Sequence, residues 1–453
     1  MEYRNPKNSQ SGLELGVEFP THKKVMEAIH LVKELDLTHD SFVRAVLEAL
    51  AQNPEDRSLW DEFMEYIRPH WIRNDVQPIM FKCPPQGTFN GRLFLGTTDD
   101  NVRILVNPDD WVRGGFVTGN IGGGKTNFLH IVAVQQVMLG KIIWWFDTLK
   151  KDGICLSQAM PDKIIRFRLD TDFRFNPFEP TAGRTDKRKN AIEVVEVFSR
   201  ENHLLEGSKG YLLDKVMQTI EAFEAANNPD PITFADVSET IEADDHRRGR
   251  SAEYNDVCRY RVKMALYNVR KCLSCVKGFD ILKLARTSFV LDMTGIVLEV
   301  QMFIISMLII TLARTKMALK QITNRLYIEI FMDEFHRLLQ RGNDFNSTEG
   351  ESTLSVLMNS VREYGIGVCA ATQSPSMISE ASVRTQSEFK LIVGNLGSNS
   401  DYNDMADIMG LNQDQLEWVK MHGKVGRAIL KMATGPFCEP FLLNVPYLNL
   451  KRI

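Results

Sequence analysis

Apolar positions along this chain change their spacing partway through. From about residue 20 to residue 68 they recur every three or four positions. Val25, Ile29, Val32 and Leu35 make one stripe, Phe42, Val46, Leu47 and Leu50 a second, and Trp60, Phe63, Met64 and Ile67 a third. That period is helical, and Asp40-Ser41 reads as a cap before the second stripe. Residues 1–80 are therefore expected to form a small helical domain. A segment broken by Pro69, Pro78, Pro84, Pro85 and Gly87 follows.

Beyond that break, short continuous apolar runs replace the stripes. Residues 92–96 and 102–106 read as a hairpin around residues 97–101. Gly115–Thr118, Lys141–Asp147, Ser288–Met293, Tyr327–Met332, Gly367–Thr372 and Phe389–Val393 read as buried strands with helices between them. Such alternation predicts an α/β fold, a mainly parallel sheet with helices on both faces. Glu329 interrupts one run, which suggests that this strand begins near an edge or an end. The longest apolar stretch, Val300–Ala313, contains Gln301, Ser306 and Thr311. It is short and polar for a membrane span and is expected to be a buried helix between two core strands. Residues from about 180 to 285 break the alternation and read as a mostly helical insertion into the domain of residues 81–453.

Composition adds limits. With 453 residues, 44% hydrophobic and 25% charged, the chain can bury a large core plus an accessory domain. A net charge of −4 excludes a generally basic coat but not a local basic channel. The richest basic stretch has Arg247, Arg248, Arg250, Arg259, Arg261, Lys263, Arg270, Lys271 and Lys277 against Glu253 and Asp256. It suits a solvated helix face or a phosphate-backbone surface. The polar N-terminus lacks the apolar core of a signal peptide. Seven scattered cysteines without framework spacing point to a reducing cytoplasm. Cys272 and Cys275 form one C-x-x-C without further zinc ligands, so buried thiols are expected. Of the nine histidines only His336 falls near the presumed site.

That site is marked by Gly119-Asn120-Ile121-Gly122-Gly123-Gly124-Lys125-Thr126, which fits G-x-x-x-x-G-K-[ST] at every fixed position. Glycines let successive backbone N–H groups curl around phosphate oxygens. Lys125 would reach the β- and γ-phosphates, and Thr126 would place its hydroxyl on Mg²⁺. The strand Gly115–Thr118 precedes the loop, and a helix from Asn127 to Leu139 is expected after it. A nucleotide site also needs a metal-holding carboxylate and a group that activates water. The strand ending in Asp333-Glu334 offers both, with Asp333 as metal partner and Glu334 as base.

Four features together resemble the HerA–FtsK superfamily of RecA-like pumping ATPases, and within it the HerA-like and conjugation or type IV secretion motor branches. They are the hairpin before the phosphate loop, the strand end Phe146-Asp147-Thr148-Leu149-Lys150, the element Phe173-Arg174-Phe175-Asn176-Pro177-Phe178, and a final block. In that block a helix from Leu354 to Glu363 runs into Arg362-Glu363-Tyr364-Gly365, then a strand, then Thr372-Gln373. The likeness covers roughly residues 90–435. It implies a RecA-like fold, ATP and Mg²⁺ as cofactors, Gln373 as the γ-phosphate sensor and Arg362 as a finger reaching a neighbour's site. Arg384 and Arg427 compete for the finger role. The strand from Phe389 lacks the arginine that relatives often carry there.

The family likeness further implies a homo-oligomer, usually a hexameric ring, threading double-stranded DNA. A protein-secretion or assembly motor is one alternative. A regulatory ATPase that scaffolds a nuclease or other effector is another, with the N-terminal domain docking the partner. No membrane anchor is visible in the sequence, so a cytoplasmic motor, recruited in some systems to a membrane complex, is expected.

Overall fold

The computed structural model describes residues 21–35, 37–38, 40–74, 80–244, 249–334, 361–378 and 387–452. His336, Arg384, Arg247, Arg248 and most of the helix expected from Leu354 lie outside them; residues 361–363 form a short 3-10 turn. The chain divides between Met80 and Phe81 into two compact units.

In the first unit, helices Thr21–Glu34, Ser41–Gln52 and Arg57–Asn74 bury Ala28, Val32, Leu35, Val43, Val46, Leu50, Phe63 and Ile67. Asp40 caps the second helix, accepting from the backbone N–H groups of Phe42 (2.8 Å) and Val43 (3.1 Å). Its other oxygen accepts from the Tyr66 hydroxyl at 2.8 Å, tying the cap to the third helix. These bonds hold the Asp40 carboxyl below the usual carboxylate range, the Tyr66 contact most of all.

The second unit is built on one eleven-stranded sheet. Its strands are β1 Leu93–Thr97, β2 Arg103–Val106, β3 Gly115–Thr118, β4 Ile142–Asp147, β5 Ile165–Arg168, β6 Phe289–Asp292, β7 Thr323–Met332, β8 Tyr364–Thr372, β9 Phe389–Val393, β10 Arg427–Met432 and β11 Phe441–Asn444. They lie in the order β2-β1-β11-β10-β9-β3-β8-β7-β4-β6-β5. From β9 to β5 every pairing is parallel. From β9 back through β10, β11 and β1 to β2 every pairing is antiparallel. The N-terminal hairpin is thus joined to the C-terminal strands, and the strand from Phe389 is interior, between β3 and β10.

Side chains alternate between the two faces, as the pleat requires. On one face Val117, Trp145 and Phe331 pack with Phe128, Leu129 and Val132 of the helix Lys125–Met138. On the other, Trp144 meets Phe289, which also contacts Phe167 and Phe173. The helix Leu298–Ala318 is long and apolar enough to cross a membrane by length and composition, yet it is buried inside the unit. The insertion covers part of it. Phe303 makes edge contacts with Phe198 and Phe234, and Arg184 donates to Thr311 at 3.0 Å. The insertion's helices are Lys187–Glu201, Glu206–Ala225, Phe234–Glu242, Arg250–Leu273 and Ile281–Leu284. Asn176 anchors it, donating to the carbonyls of Ile232 (3.0 Å) and Val276 (3.1 Å). The seven cysteines are free thiols; Cys272 is buried and Cys275 half-buried.

The first residues of β7 lie at an exposed end, as expected, but Glu329 itself does not. Far from an edge, β7 runs between β8 and β4, and Glu329 is wholly buried. Neither carboxyl oxygen has a hydrogen-bond partner of good geometry among the described residues. Burial pushes its pKa well above the ordinary 4.5, opposed only by the nearby Gln136 amide. The folded protein therefore keeps a proton that the unfolded chain releases. That stabilisation is whole below about pH 4.5 and is lost as pH rises through the raised value. Glu329→Gln should remove this slope, up to about 1.4 kcal/mol per pH unit, and raise stability on the alkaline side. Thermal melts of both proteins between about pH 5 and pH 9 check this; equal slopes would count against a neutral Glu329.

Candidate active site

The loop from Gly119 to Gly124 leaves the carboxyl end of β3 and opens the helix Lys125–Met138, two residues earlier than its sequence suggests. Gly119 is required by space, since a β-carbon there would stand 2.1 Å from the Val393 carbonyl oxygen. Gly122 is required by conformation, with φ +77°. The end of β9 closes the loop from outside. The Asn120 N–H donates to the Asn395 carbonyl at 2.6 Å, and the Asn120 side-chain amide donates to the Leu396 carbonyl at 3.1 Å. Ile121 is exposed at the tip, Gly123 is buried and Thr126 is half-buried at the first helical turn. Unpaired N–H groups of that turn and the helix dipole both favour an anion at this end.

Lys125 is buried, with only 5% of its surface exposed. It donates to the carbonyls of Gly119 (2.6 Å) and Asn120 (3.0 Å). Burial holds its ammonium below the usual lysine range, while Asp333 and Glu334 pull the other way. Those two carboxylates follow β7. Since β8 lies between β3 and β7, Gln373 at the end of β8 stands between the loop and the acidic pair. The Gln373 amide donates to the Glu334 carboxylate. Lys150, in the turn after β4, approaches the same carboxylate at 3.7 Å.

Asp333 accepts from the Glu334 N–H at 2.9 Å through Oδ1. Its Oδ2 is buried without a hydrogen-bond partner among the described residues. Burial raises its pKa, the Glu334 charge adds to that, and Lys150 and Lys125 oppose it. Glu334 has φ +58°, a left-handed conformation that costs a non-glycine residue on the order of 1–3 kcal/mol.

The structure thus gathers Gly119, Asn120, Ile121, Gly122, Gly123, Gly124, Lys125, Thr126, Asp333, Glu334 and Gln373 at one end of the sheet. Other candidates lie elsewhere. The Asn127 side chain is turned to the C-terminal segment, donating to the Pro446 carbonyl at 2.8 Å and accepting from the Leu448 N–H at 2.9 Å. Arg362 precedes β8 and is half-buried beside Arg113, at the opposite end of the strand from Gln373. Nine strand residues separate the two ends, roughly 30 Å. Arg427 pairs with Asp99 and lies over the Trp418 ring at 5.1 Å.

Asp147 is buried and caps the helix Asp152–Ala159, accepting from the N–H groups of Gly153 (2.9 Å) and Ile154 (3.0 Å) and from the Trp145 ring N–H (2.9 Å). Burial still pushes its pKa up to about 7. The capped turn carries Lys150, the site residue that sequence reasoning left without a role. Its signal was present, because a cation three residues past the end of β4 falls on the loop side of the sheet, beside the acidic pair.

No protein-family model matches the sequence, and no curated protein matches it. Solved structures share its fold. VirB4 of Thermoanaerobacter pseudethanolicus superposes with a TM-score of 0.61 at 11% identity, over 82% of this chain and all of that one. The unbound bacterial conjugative coupling protein TrwB superposes at 0.56 and 12% identity, over 80% of this chain and 90% of that one. TrwB in complex with ADP and Mg²⁺ superposes at 0.55 and 14% identity, over 82% and 97%. The chain has the RecA-like α/β fold of these structures, in agreement with the sequence resemblance.

Proposed function

We propose that residues 81–453 form a Mg²⁺-dependent ATPase motor that works as a homo-oligomeric ring, usually of six, and translocates DNA. The observation that carries the nucleotide part is the convergence of Lys125, Lys150, Asp333, Glu334 and Gln373 at the carboxyl end of the parallel strands, where open α/β sheets bind ligands. The solved TrwB complexes with an ATP analogue and with ADP and Mg²⁺ support the choice of ligand.

The residues fit a magnesium ion. Asp333 Oδ2 is a buried acceptor lacking a donor, and the Thr126 hydroxyl stands at the head of the loop helix. No cluster of three or more His, Cys, Asp or Glu gathers among the described residues. That suits a cation held largely by phosphate oxygens and water. When bound, the ion neutralises charge on the phosphates.

The chain's own groups do the rest. Loop N–H groups hold the phosphates once Lys125 leaves the Gly119 and Asn120 carbonyls. Glu334, held by Gln373, orients and deprotonates the attacking water. Lys150, released from Glu334, adds positive charge beside the transferred phosphoryl group. Arg362 lies too far from its own loop to take part, so a finger role places it at the loop of a neighbouring copy. DNA as cargo is supported by the likeness to a conjugative coupling protein and by exposed Arg270, Lys271 and Lys277. One observation favours the protein-secretion alternative. Arg259, Arg261 and Lys263 of the basic helix are paired with Asp256, Glu299 and Glu242.

Lys125→Ala should abolish hydrolysis and weaken ATP binding, whereas Glu334→Gln should keep binding and stop turnover. ATP affinity and single-turnover rates measured on both variants check this; near-normal turnover in the glutamine variant would move the base elsewhere. Duplex DNA should stimulate hydrolysis, with stimulation fading linearly on a log–log salt plot. Hydrolysis indifferent to DNA at low salt would favour protein cargo. Arg362→Ala should lower turnover by about a thousandfold with nucleotide affinity nearly intact. Mixed with inactive Lys125→Ala protein it should regain activity, and a monomer hydrolysing at full rate would end the ring reading.

A further inference from the structure

At the end of the sheet opposite the phosphate loop lies a cavity of about 510 Å³. It is framed by the starts of β4, β7 and β8 and by the end of the insertion. Four cations line it, Lys141, Arg286, Lys316 and Arg325, with Tyr327 and Tyr364, and no acidic residue is in its wall among the described residues. Among the described residues, Lys141 alone of the four has its charge answered, by Asp109 at 2.5 Å. Among the described residues Arg286, Lys316 and Arg325 form no ion pair.

Lys316 is the most telling of these. It sits in the last turn of the helix Leu298–Ala318, with only 7% of its surface exposed. Its ammonium donates to the Gln321 amide oxygen at 2.9 Å and lies 4.4 Å from the Tyr327 ring centroid. A neutral acceptor and a ring face compensate a desolvated ammonium only in part. Arg286, a like charge, stands close enough to disfavour its charged form further, after burial itself. The desolvated Lys316 ammonium costs stability that an anion in the cavity would offset, while Arg286 and Arg325 are exposed at its rim. The cavity is within the size range of small-molecule sites. One buried ammonium and two exposed guanidinium groups suited to bidentate contacts, none of them in an ion pair among the described residues, match a multivalent phosphate better than a single carboxylate.

We propose that this cavity is a second anion site, which takes a di- or triphosphate group. The argument does not use the motor reading. Two sources share the chemistry: a soluble phosphate-bearing ligand, or the nucleotide of a neighbouring copy docked against this end.

The test titrates sodium tripolyphosphate calorimetrically into full-length Lys125→Ala protein, in which the phosphate loop is disabled. The expected result is one saturable site, weakened about tenfold or more by Arg286→Gln and by Lys316→Gln but not by Lys320→Gln on the exposed surface nearby. Arg286 is exposed, so its variant reports even if Lys316→Gln folds poorly. Saturation at dilutions where light scattering shows monomers assigns the site to a soluble ligand. Saturation only in the assembled wild-type protein with nucleotide, where Arg286→Gln lowers turnover without changing nucleotide affinity, assigns it to the neighbour's nucleotide. No saturable binding in either state, or binding indifferent to both substitutions, would overturn the proposal.

Discussion

Parallel pairing of β3, β8 and β7 holds three chemically unrelated segments in one plane. Val117 and Thr118 pair with Ala371 and Thr372, and Met332 pairs with Ala370. These registers bring the phosphate loop, Gln373 and the Asp333-Glu334 pair to the same height. A one-residue slip would turn every side chain to the other face. The slip is resisted because both faces are buried, so the apolar helices that cover the sheet also position the site. The buried Leu298–Ala318 helix also meets the turn that carries Lys150, where the Gln301 amide donates to the Thr148 carbonyl at 3.0 Å, so the helix and the insertion packed on it act on the site's geometry.

The parallel core was legible because its strands are short, continuous and apolar, and because each ends in a residue of distinct chemistry. β3 and β9 were read with their observed limits. β5 was missed because Ile-Arg-Phe-Arg has half its positions charged, as an exposed edge strand allows. β10 and β11 were missed because short antiparallel strands carry no crossover helix to announce them. Glu329 misled because a charged residue inside an apolar run normally marks an exit from the core; here the carboxyl is wholly buried and its pKa is pushed upward by that burial. Arg362 was readable as a helix-end arginine, but not its distance from Gln373. Chain neighbours of a strand lie at opposite ends of it, a fact of geometry that spacing in sequence conceals.

The charged residues of the second unit divide between the two ends of the sheet. At the carboxyl end, cations and carboxylates answer each other, Lys125 and Lys150 facing Asp333 and Glu334. At the other end Lys141 pairs with Asp109 and Arg113 with Glu388, but among the described residues Arg286, Lys316 and Arg325 form no ion pair. The net charge of the whole chain does not reveal these three cations without ion pairs at one end.

Lys125 rests on the carbonyls of its own loop. Those two oxygens act as a tethered competitor, present at an effective concentration that no dissolved anion matches. An incoming ligand must supply more than two carbonyls can. A singly charged buffer anion offers little advantage over them, while a chain of linked phosphates reaches the lysine and the loop N–H groups together. In the ATPase proposed above, the loop would thus carry an internal threshold, set by backbone oxygens, that discriminates by valence before any side chain reads the rest of the ligand.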